Sequence, residues 1–443
     1  MAKNASRKTA PKFTFGNVST LLADGMAAHQ RGDLEEAARN YQRVLAKQPR
    51  HPDALHLTGV VARQRGDLDI AVSRIREAIA ISPNVALYHA NLGRALGESG
   101  DTDGCIAALE RALKLDPTLT AAAYNLGIAF EQRGDAAEAE RYYRVASEGD
   151  AALPEAAFNL GNVLVATDRI ADAVAAYHHA LELRPGYTRA LANLGNAYQK
   201  LGRFEDAAGA YKALLEEDPD DAEARHMLAA LTGESRDRAD ASYVARFFDD
   251  YAARFEKVLL EDLRYDTPAA IAEVVKHHLG EGRRVSRALD LGCGTGLAGR
   301  ALRPFCDVLI GVDLSPNMLE KARAAGGYDE LHADDLIGFL QGRTDSFDLF
   351  VASDVLNYLG DLLETFQLVA RRAASGALFV FSTEAGQVEG FHLDRTGRFS
   401  HGRAYVEATA ASAGLDVVSC DERVLRLERD VPVHGHLFLL RAR

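Results

Sequence analysis

A regular spacing between glycines constrains the fold of this chain more than any other feature of its sequence. The recurring glycines are Gly25, Gly59, Gly93, Gly127, Gly161 and Gly195, and every step between neighbours is the same. Small residues recur at this period twelve positions after each glycine, and larger apolar residues recur four positions after those. Six copies in register argue against chance, and units of this kind bury a continuous core only by stacking on their neighbours.

Each unit is predicted to form two antiparallel helices. Glycine and alanine at the periodic positions allow paired helices to approach closely, and a glycine in the middle of the unit permits the turn between them. A proline near the end of the unit stops the second helix. The middle glycines are Gly32, Gly66, Gly100, Gly134 and Gly202, and Asp168 takes the place of the remaining one.

This pattern resembles the tetratricopeptide repeat, a family that repeats two antiparallel helices at a period of about 34 residues. The resemblance predicts six repeats plus a closing helix over residues 17–233, with the closing helix at 222–231 covering the last apolar face. Residues 1–16 are basic and are predicted to form a disordered tail. A polar linker without hydrophobic periodicity is predicted over residues 234–244.

A row of asparagines follows the same period in the first helices of the repeats. A carboxamide both donates and accepts hydrogen bonds, so a row of them can hold an extended backbone. The row resembles the asparagine ladder of O-linked N-acetylglucosamine transferases, which implies a peptide or protein in the groove. The alternative is that these side chains cap or space the helices. The ladder residues are Asn91, Asn125, Asn159 and Asn193, with Asn162 and Asn196 one helical turn further on.

The second half of the chain alternates short apolar strands with helices. Such alternation predicts an α/β Rossmann-like, doubly wound parallel sheet over residues 245–443. Ligands of these sheets bind at the carboxyl ends of the strands. The last segment, HLFLLRA, fits an antiparallel strand at the edge of the sheet.

One glycine-rich turn carries the most specific motif of this half. It reads Asp290-Leu-Gly292-Cys-Gly294-Thr-Gly296, and Asp313 follows at the end of the next predicted strand. The motif resembles that of the class I S-adenosylmethionine-dependent methyltransferases. The whole half is also similar to the predicted methyltransferases that are fused to tetratricopeptide repeats.

The resemblance implies a role for each residue of the motif. Glycines at 292, 294 and 296 let the backbone approach the methionine and ribose parts of the cofactor. Asp290 would contact the methionine amino group, directly or through water, and Asp313 would accept from both ribose hydroxyls. Either Asp334 or Asp335 would accept from the adenine amino group, and the backbone of Leu336 would meet the adenine edge.

Candidate catalytic residues follow the fourth and fifth strands. Asp354 and Tyr358 come directly after the fourth strand, and His401 is the proposed base because imidazole titrates near neutral pH. Tyr251 is expected to close over the cofactor. Each has a structural alternative: Asp354 can cap a helix, His401 can cap a helix or lie in a solvated loop, and Tyr251 can simply pack.

Composition narrows the partners. The net charge is −13, and no basic block lies outside the tail, which argues against bulk nucleic-acid binding. No apolar run reaches the ~20 residues of a membrane span. The four cysteines are scattered and no metal-ligand spacing is present, so a cytoplasmic protein without a metal is expected.

The leading hypothesis is therefore a methyltransferase whose repeat arm presents a peptide or protein to the active site. A second hypothesis keeps the enzyme but gives it a small-molecule acid, with the repeats used for assembly. A third treats the chain as a non-catalytic adaptor that binds the cofactor.

Overall fold

The computed structural model describes residues 17–149, 151–259, 263–387, 389–428 and 431–443. The predicted tail, residues 1–16, lies outside the described residues. The described chain divides into two compact units, one up to Gly202 and the other from Arg203 onward. Within these described ranges, no helix is both long enough and apolar enough to cross a bilayer.

The N-terminal unit is an array of helices in which each helix packs against the next. The two-helix repeat predicted from the glycine period is present. The helices are α1 Val18–Gln30, α2 Leu34–Lys47, α3 Pro52–Gln64, α4 Leu68–Ile81, α5 Ala86–Glu98, α6 Thr102–Leu115, α7 Thr120–Gln132, α8 Ala136–Ser147, α9 Pro154–Ala166, α10 Ile170–Leu183 and α11 Thr188–Lys200.

The periodic glycines are explained by close helix packing. A Cβ atom added at Gly127 would lie 2.5 Å from the ring of Tyr143, and one at Gly25 would lie 2.5 Å from the ring of Tyr41. The turns between the paired helices require a positive φ, and their glycines have φ between +71° and +86°. Asp168 adopts the same conformation, with φ of +60°, and an aspartate tolerates it better than most residues.

The C-terminal unit begins with α12 Phe204–Glu217 and α13 Ala222–Thr232. Helix α13 is the predicted closing helix, and it packs on α12. Another part of its surface packs against a short β-hairpin, where Ala229 and Ala230 contact Leu393 and Phe399. The side chain of His226 is buried and its Nε2 donates to the Gly397 carbonyl at 2.8 Å.

A single sheet forms the centre of this unit. Its parallel strands run in the order β3-β2-β1-β4-β5, and β9 pairs antiparallel with β5 and with the outer strand β8. The last segment is therefore antiparallel as predicted, but it lies between β5 and β8 and not at the edge of the sheet. The strands are β1 Val285–Leu291, β2 Cys306–Asp313, β3 Glu330–Ala333, β4 Phe347–Ala352, β5 Ala373–Ala385, β6 Phe391–Leu393, β7 Phe399–His401, β8 Leu415–Glu428 and β9 Val431–Ala442.

Helices flank this sheet and give it two apolar layers. One layer includes Leu289, Phe350 and Phe381, and the other includes Ala288 and Val351, so neighbouring residues of a strand face opposite layers. The helices are α14 Ala241–Tyr251, α15 Phe255–Lys257, α16 Thr267–Leu279, α17 Leu297–Leu302, α18 Pro316–Ala325, α19 Leu336–Gly342, α20 Leu363–Arg372 and α21 Arg403–Ser412.

Candidate functional site

The C-terminal unit contains a cavity of about 600 Å³ at the carboxyl ends of its parallel strands. Gly292 after β1, Asp313 at the end of β2, Asp334 after β3 and Asp354 after β4 all line it. The order β3-β2-β1-β4 explains why residues so far apart in sequence meet here, since parallel strands bring their carboxyl ends to one edge. The segment from Arg236 to Phe255 contributes much of the remaining wall.

The three glycines of the turn all have positive φ, but they serve different needs. A Cβ at Gly292 would collide with Val355, and one at Gly296 would lie 3.1 Å from the Tyr328 ring, so these two positions are fixed by packing. Among the residues that the structure describes, a Cβ at Gly294 would meet only a ring carbon of Phe255, at 3.8 Å. The backbone at Gly294 is therefore bare on the side of the cavity.

The carboxylate of Asp313 is tied to this turn. Its Oδ2 accepts the Gly294 N–H at 2.8 Å and its Oδ1 accepts the Ser315 N–H at 2.9 Å. Burial raises the pKa of Asp313, and these backbone N–H groups oppose the rise by stabilising the ionised form. Each oxygen still has a second lone pair for a ligand.

The two aspartates after β3 are not equivalent, although both line the cavity. Asp335 caps α19, because its Oδ2 accepts the Gly338 N–H at 3.2 Å. Asp334 is exposed and accepts only the adjacent Asp335 N–H, at 2.9 Å, among the described residues. Leu336 follows in the same wall, and the contact of its backbone with the adenine edge stays a prediction.

Asp290 is not in the cavity wall. The residue is fully buried, and its Oδ2 accepts the Tyr328 hydroxyl at 2.6 Å. Burial raises the pKa of Asp290 to about 7. Its Oδ1 is buried and accepts no hydrogen bond from any described residue, so the predicted contact with the methionine amino group, directly or through water, stays a prediction.

Helix α14 and the residues after it form an aromatic part of the wall. Phe247, Phe248, Tyr251 and Phe255 all line the cavity and contact one another edge to face or at a tilt. Asp249 ties helix α14 to the start of α18. Its Oδ1 accepts hydrogen bonds from the Ser315 hydroxyl and from the Asn317 N–H. Tyr251 thus lies in the wall of the cavity, and its closure over the cofactor stays a prediction.

Asp354 and Tyr358 also line the cavity, and Asp354 sits in a charged network. Its Oδ1 accepts from Arg426 at 3.1 Å and from Asn357 at 3.1 Å. The Arg426 side chain is only 1% exposed, and its Nη2 also lies 2.5 Å from Glu384. Asp354 has φ of +57°, an uncommon backbone conformation that occurs often at functional sites.

His401 does not reach the cavity. It is fully buried beneath the loop after β4, and its Nε2 donates to the carbonyls of Leu359 at 2.9 Å and Gly360 at 3.1 Å. Burial lowers the pKa of His401 to about 4. This placement corrects the prediction of a catalytic base: the imidazole holds the loop in position and has no route to a substrate.

The comparisons with known proteins assign both halves. Family models of the tetratricopeptide repeat match residues 22–86, 91–154 and 164–231. A model described as a methyltransferase domain matches residues 289–379, the stretch that contains the glycine turn and Asp313. The chain is a tetratricopeptide-repeat array followed by a methyltransferase domain.

Curated relatives match the methyltransferase domain. Nodulation protein S of Bradyrhizobium diazoefficiens is 33% identical over 107 residues, which is 23% of this chain and 50% of that protein. A protein named probable S-adenosylmethionine-dependent methyltransferase CRG1, from Saccharomyces cerevisiae, is 27% identical over 29% of this chain and 45% of its own length. The chain spans about half the length of the curated relatives it matches.

A solved structure described as N-methyltransferase NodS from Bradyrhizobium japonicum, in complex with S-adenosyl-L-homocysteine, is 19% identical, with a TM-score of 0.38. The match covers 45% of this chain and 98% of that one. The family model and the curated relatives imply S-adenosylmethionine as the cofactor of the methyltransferase domain.

The cavity of the methyltransferase domain has the features that this cofactor needs. The bare backbone at Gly294 leaves room for a ligand, and the paired oxygens of Asp313 suit two neighbouring hydroxyls. The hydroxyl of Thr295 is buried and forms no hydrogen bond with any described residue, although Thr295 belongs to the cavity wall. A buried polar atom without a partner marks a position where a ligand can bind.

Several residues of the wall were not found by reading the sequence. They lie far from the glycine motif, either in the predicted linker or near other strands, and no local pattern marks them. Only the arginines of the linker segment, GESRDRADAS, are visible in the sequence as an unusual feature. The missed residues are Arg236, Arg238, Tyr265, Ser353 and Arg426.

The predicted asparagine ladder runs through the repeat array as a set of links between successive first helices. Asn91 donates to His56 at 2.8 Å, and Asn193 donates to the carboxamide oxygen of Asn162 at 2.8 Å. Asn159 donates to a tyrosine hydroxyl at 3.4 Å. Asn125 is half-buried and Asn196 is exposed. The amides that form links agree with the alternative that ladder residues space the helices.

Proposed function

We propose that this chain is an S-adenosylmethionine-dependent methyltransferase whose repeat array recruits a peptide or protein that is methylated. One observation carries the enzymatic part: the bare backbone of Gly294 and the carboxylate of Asp313, hydrogen-bonded to each other, line one cavity with Asp334. This cavity belongs to a domain that matches a methyltransferase family model.

Three groups of the wall would hold the cofactor. Asp313 would accept from the ribose hydroxyls with the lone pairs that its backbone partners leave free. Asp334, which does not cap a helix, would accept from the adenine amino group, and Asp335 would remain the cap of α19. The aromatic wall formed by Phe247, Phe248, Tyr251 and Phe255 would exclude water.

The cofactor, when bound, supplies a methyl group on a cationic sulfonium. The protein's part is then to align the acceptor and exclude water, because the donor is already activated. Asp354 is suited to this task. Its Oδ1 is held by Arg426 and Asn357, whereas its Oδ2 accepts no hydrogen bond from any described residue. Asp354 would accept an N–H or O–H of the acceptor there, and Tyr358 would line the approach.

The role proposed for the repeats rests on the ladder. Asn125 sits in register with the linked asparagines, yet within the described ranges its side chain forms no hydrogen bond. Its substitution therefore removes no internal hydrogen bond among the described residues, so weaker labelling would indicate a role in ligand binding. Such recruitment would allow the repeat array to select the polypeptide while the domain supplies the chemistry.

Transfer of a labelled methyl group tests both parts. The purified chain is incubated with methyl-labelled S-adenosylmethionine and host lysate, and labelled products are separated by size. We expect a labelled polypeptide, loss of label with Asp313→Ala, and weaker labelling with Asn125→Ala. Glu110→Ala, an exposed change on the second helix of a repeat, serves as the matched control.

Label confined to small molecules, with Asn125→Ala as active as the native chain, would contradict recruitment and favour the small-molecule acid. Binding of the cofactor without transfer to any acceptor would contradict the enzyme and favour an adaptor.

A further inference from the structure

Four arginines line the cavity, and two of them are fully neutralised. Arg426 pairs with Asp354, Glu384 and Glu428, at distances between 2.5 and 3.1 Å. Arg398 pairs with Glu428 at 2.6 Å. These two cations and three carboxylates balance one another to within one charge, so they leave no excess positive charge for an anionic ligand.

The other two arginines follow the closing helix of the repeat array and are not balanced in this way. The side chain of Arg238 forms no ion pair or hydrogen bond with any described residue, although it lines the cavity. Arg236 has one long ion pair, at 3.4 Å to Glu234, and its Nε is buried without a partner among the described residues. The nearby Asp240 already caps α14 through Ser242.

Backbone hydrogen bonds fix Arg238 over the loop that follows β4. The carbonyl of Asp237 accepts the Gly360 N–H at 2.7 Å, and the Ala239 N–H donates to the Tyr358 carbonyl at 2.9 Å. Arg238 itself forms an antiparallel bridge with Leu359. The predicted linker is therefore a fixed part of the cavity wall rather than a loose connection.

The order of the strands indicates which end of the cofactor meets Arg238. Asp334 follows β3, and the loop that holds Arg238 follows β4. These strands are three spacings apart in the sheet, or about 14 Å. With adenine at Asp334 and ribose at Asp313, the amino-acid end of the cofactor, which carries its amino and carboxylate groups, extends past the glycine turn toward β4. Gly292 at the start of that turn already touches Val355, in the same loop.

We propose that Arg238 binds the carboxylate at the amino-acid end of the cofactor. The inference rests on the proposed function and adds a residue to its site that lies outside the stretch matched by the methyltransferase family model. An unpaired guanidinium is suited to this contact, because arginine binds carboxylates through two parallel N–H donors. The segment that leaves the repeat array thus completes the cofactor site.

Two ligands that share the thioadenosine part, of which only one carries the amino-acid group, test the assignment. S-adenosylhomocysteine carries the carboxylate, and 5′-deoxy-5′-methylthioadenosine keeps the adenosine and the sulfur but lacks the amino-acid group. Affinities of both for the full chain are measured by isothermal titration. We expect Arg238→Ala to weaken S-adenosylhomocysteine about 10- to 100-fold, the loss for a charged hydrogen bond, and to leave methylthioadenosine within about threefold.

Arg238→Lys keeps the charge and should recover part of the affinity, and Arg371→Ala, which removes an exposed arginine elsewhere, should change neither ligand. Retained binding of methylthioadenosine by Arg238→Ala also shows that the variant is folded. Equal loss of both ligands, or no loss of either, overturns the assignment of Arg238 but leaves the proposed function intact. A native chain that binds neither ligand overturns both.

Discussion

The glycine turn allows ligand binding to be separated from folding at a single position. Gly294→Ala adds one methyl group on the bare side of the turn, where Phe255 alone among the described residues lies within 4 Å, at 3.8 Å. Gly294 has φ of +52°. The new side chain therefore strains the backbone but collides with no atom of the described residues. It occupies space that the proposal assigns to the cofactor.

A matched control has the same backbone cost without the cavity. Gly233 at the end of α13 has φ of +76°, and a Cβ there meets no atom of the described chain within 4 Å. Alanine in this conformation costs about 1–2 kcal/mol. Because about 1 kcal/mol shifts Tm by about 2–4 °C in a domain of this size, both variants should lose about 2–8 °C of Tm.

Titration with S-adenosylhomocysteine then distinguishes the two variants. Gly294→Ala should bind at least about tenfold more weakly than the native chain, which corresponds to about 1.4 kcal/mol. Gly233→Ala should bind as the native chain does. Native affinity in a folded Gly294→Ala variant would refute the placement of the cofactor over this glycine.

Three further predictions concern buried groups of the methyltransferase domain. The pKa of Asp290 is raised to about 7, above the ordinary value of about 3.9, so the native state binds this proton more tightly than the unfolded state. The contribution of Asp290 to native stability should therefore fall as pH rises from about 4 to about 7. Measured by urea denaturation, the free energy of unfolding should change less with pH in Asp290→Asn than in the native chain. An unchanged pH dependence would show that Asp290 titrates normally. Arg426→Met leaves Asp354 and Glu384 without their buried cation and should cost about 3–5 kcal/mol, partly recovered by adding Glu384→Gln; a loss under about 1 kcal/mol would contradict the network. His401→Ala removes the imidazole donor of the Leu359 and Gly360 carbonyls, of which the Gly360 carbonyl keeps the Tyr405 hydroxyl at 3.4 Å. The change should cost about 1–3 kcal/mol, while affinity for S-adenosylhomocysteine stays within about threefold. A stable variant with a changed pH profile of methyl transfer would restore its role as a base.

Local patterns made most of the fold predictable. The glycine period specifies helix pairs because each glycine faces one bulky side chain of its partner helix, as Gly127 faces Tyr143. The turn at Gly294 and the acid at Asp313 were also predictable, because adjacent parallel strands bring their ends together. These features depend on short stretches of sequence.

The remaining parts of the site depend on burial and on contacts between distant segments. His401 was predicted as a base from its residue type, but the sequence does not show that the imidazole lies beneath the loop after β4. Asp290 belongs to the motif, yet one oxygen of its carboxylate accepts a hydrogen bond from Tyr328, which lies in a distant segment of the sequence. Arg238 was assigned to a linker because the segment is polar and lacks hydrophobic periodicity. The backbone bonds that fix this segment reach a loop far along the chain.

Direct titration of S-adenosylmethionine into the purified full chain tests the central claim most directly. We predict saturable binding at one site per chain, weakened about 100-fold or more in Asp313→Ala, which removes the proposed acceptor of the ribose hydroxyls and the partner of the Gly294 N–H. No saturable binding by the native chain, or equal binding by a folded Asp313→Ala variant, would contradict the assignment of this cavity to the cofactor.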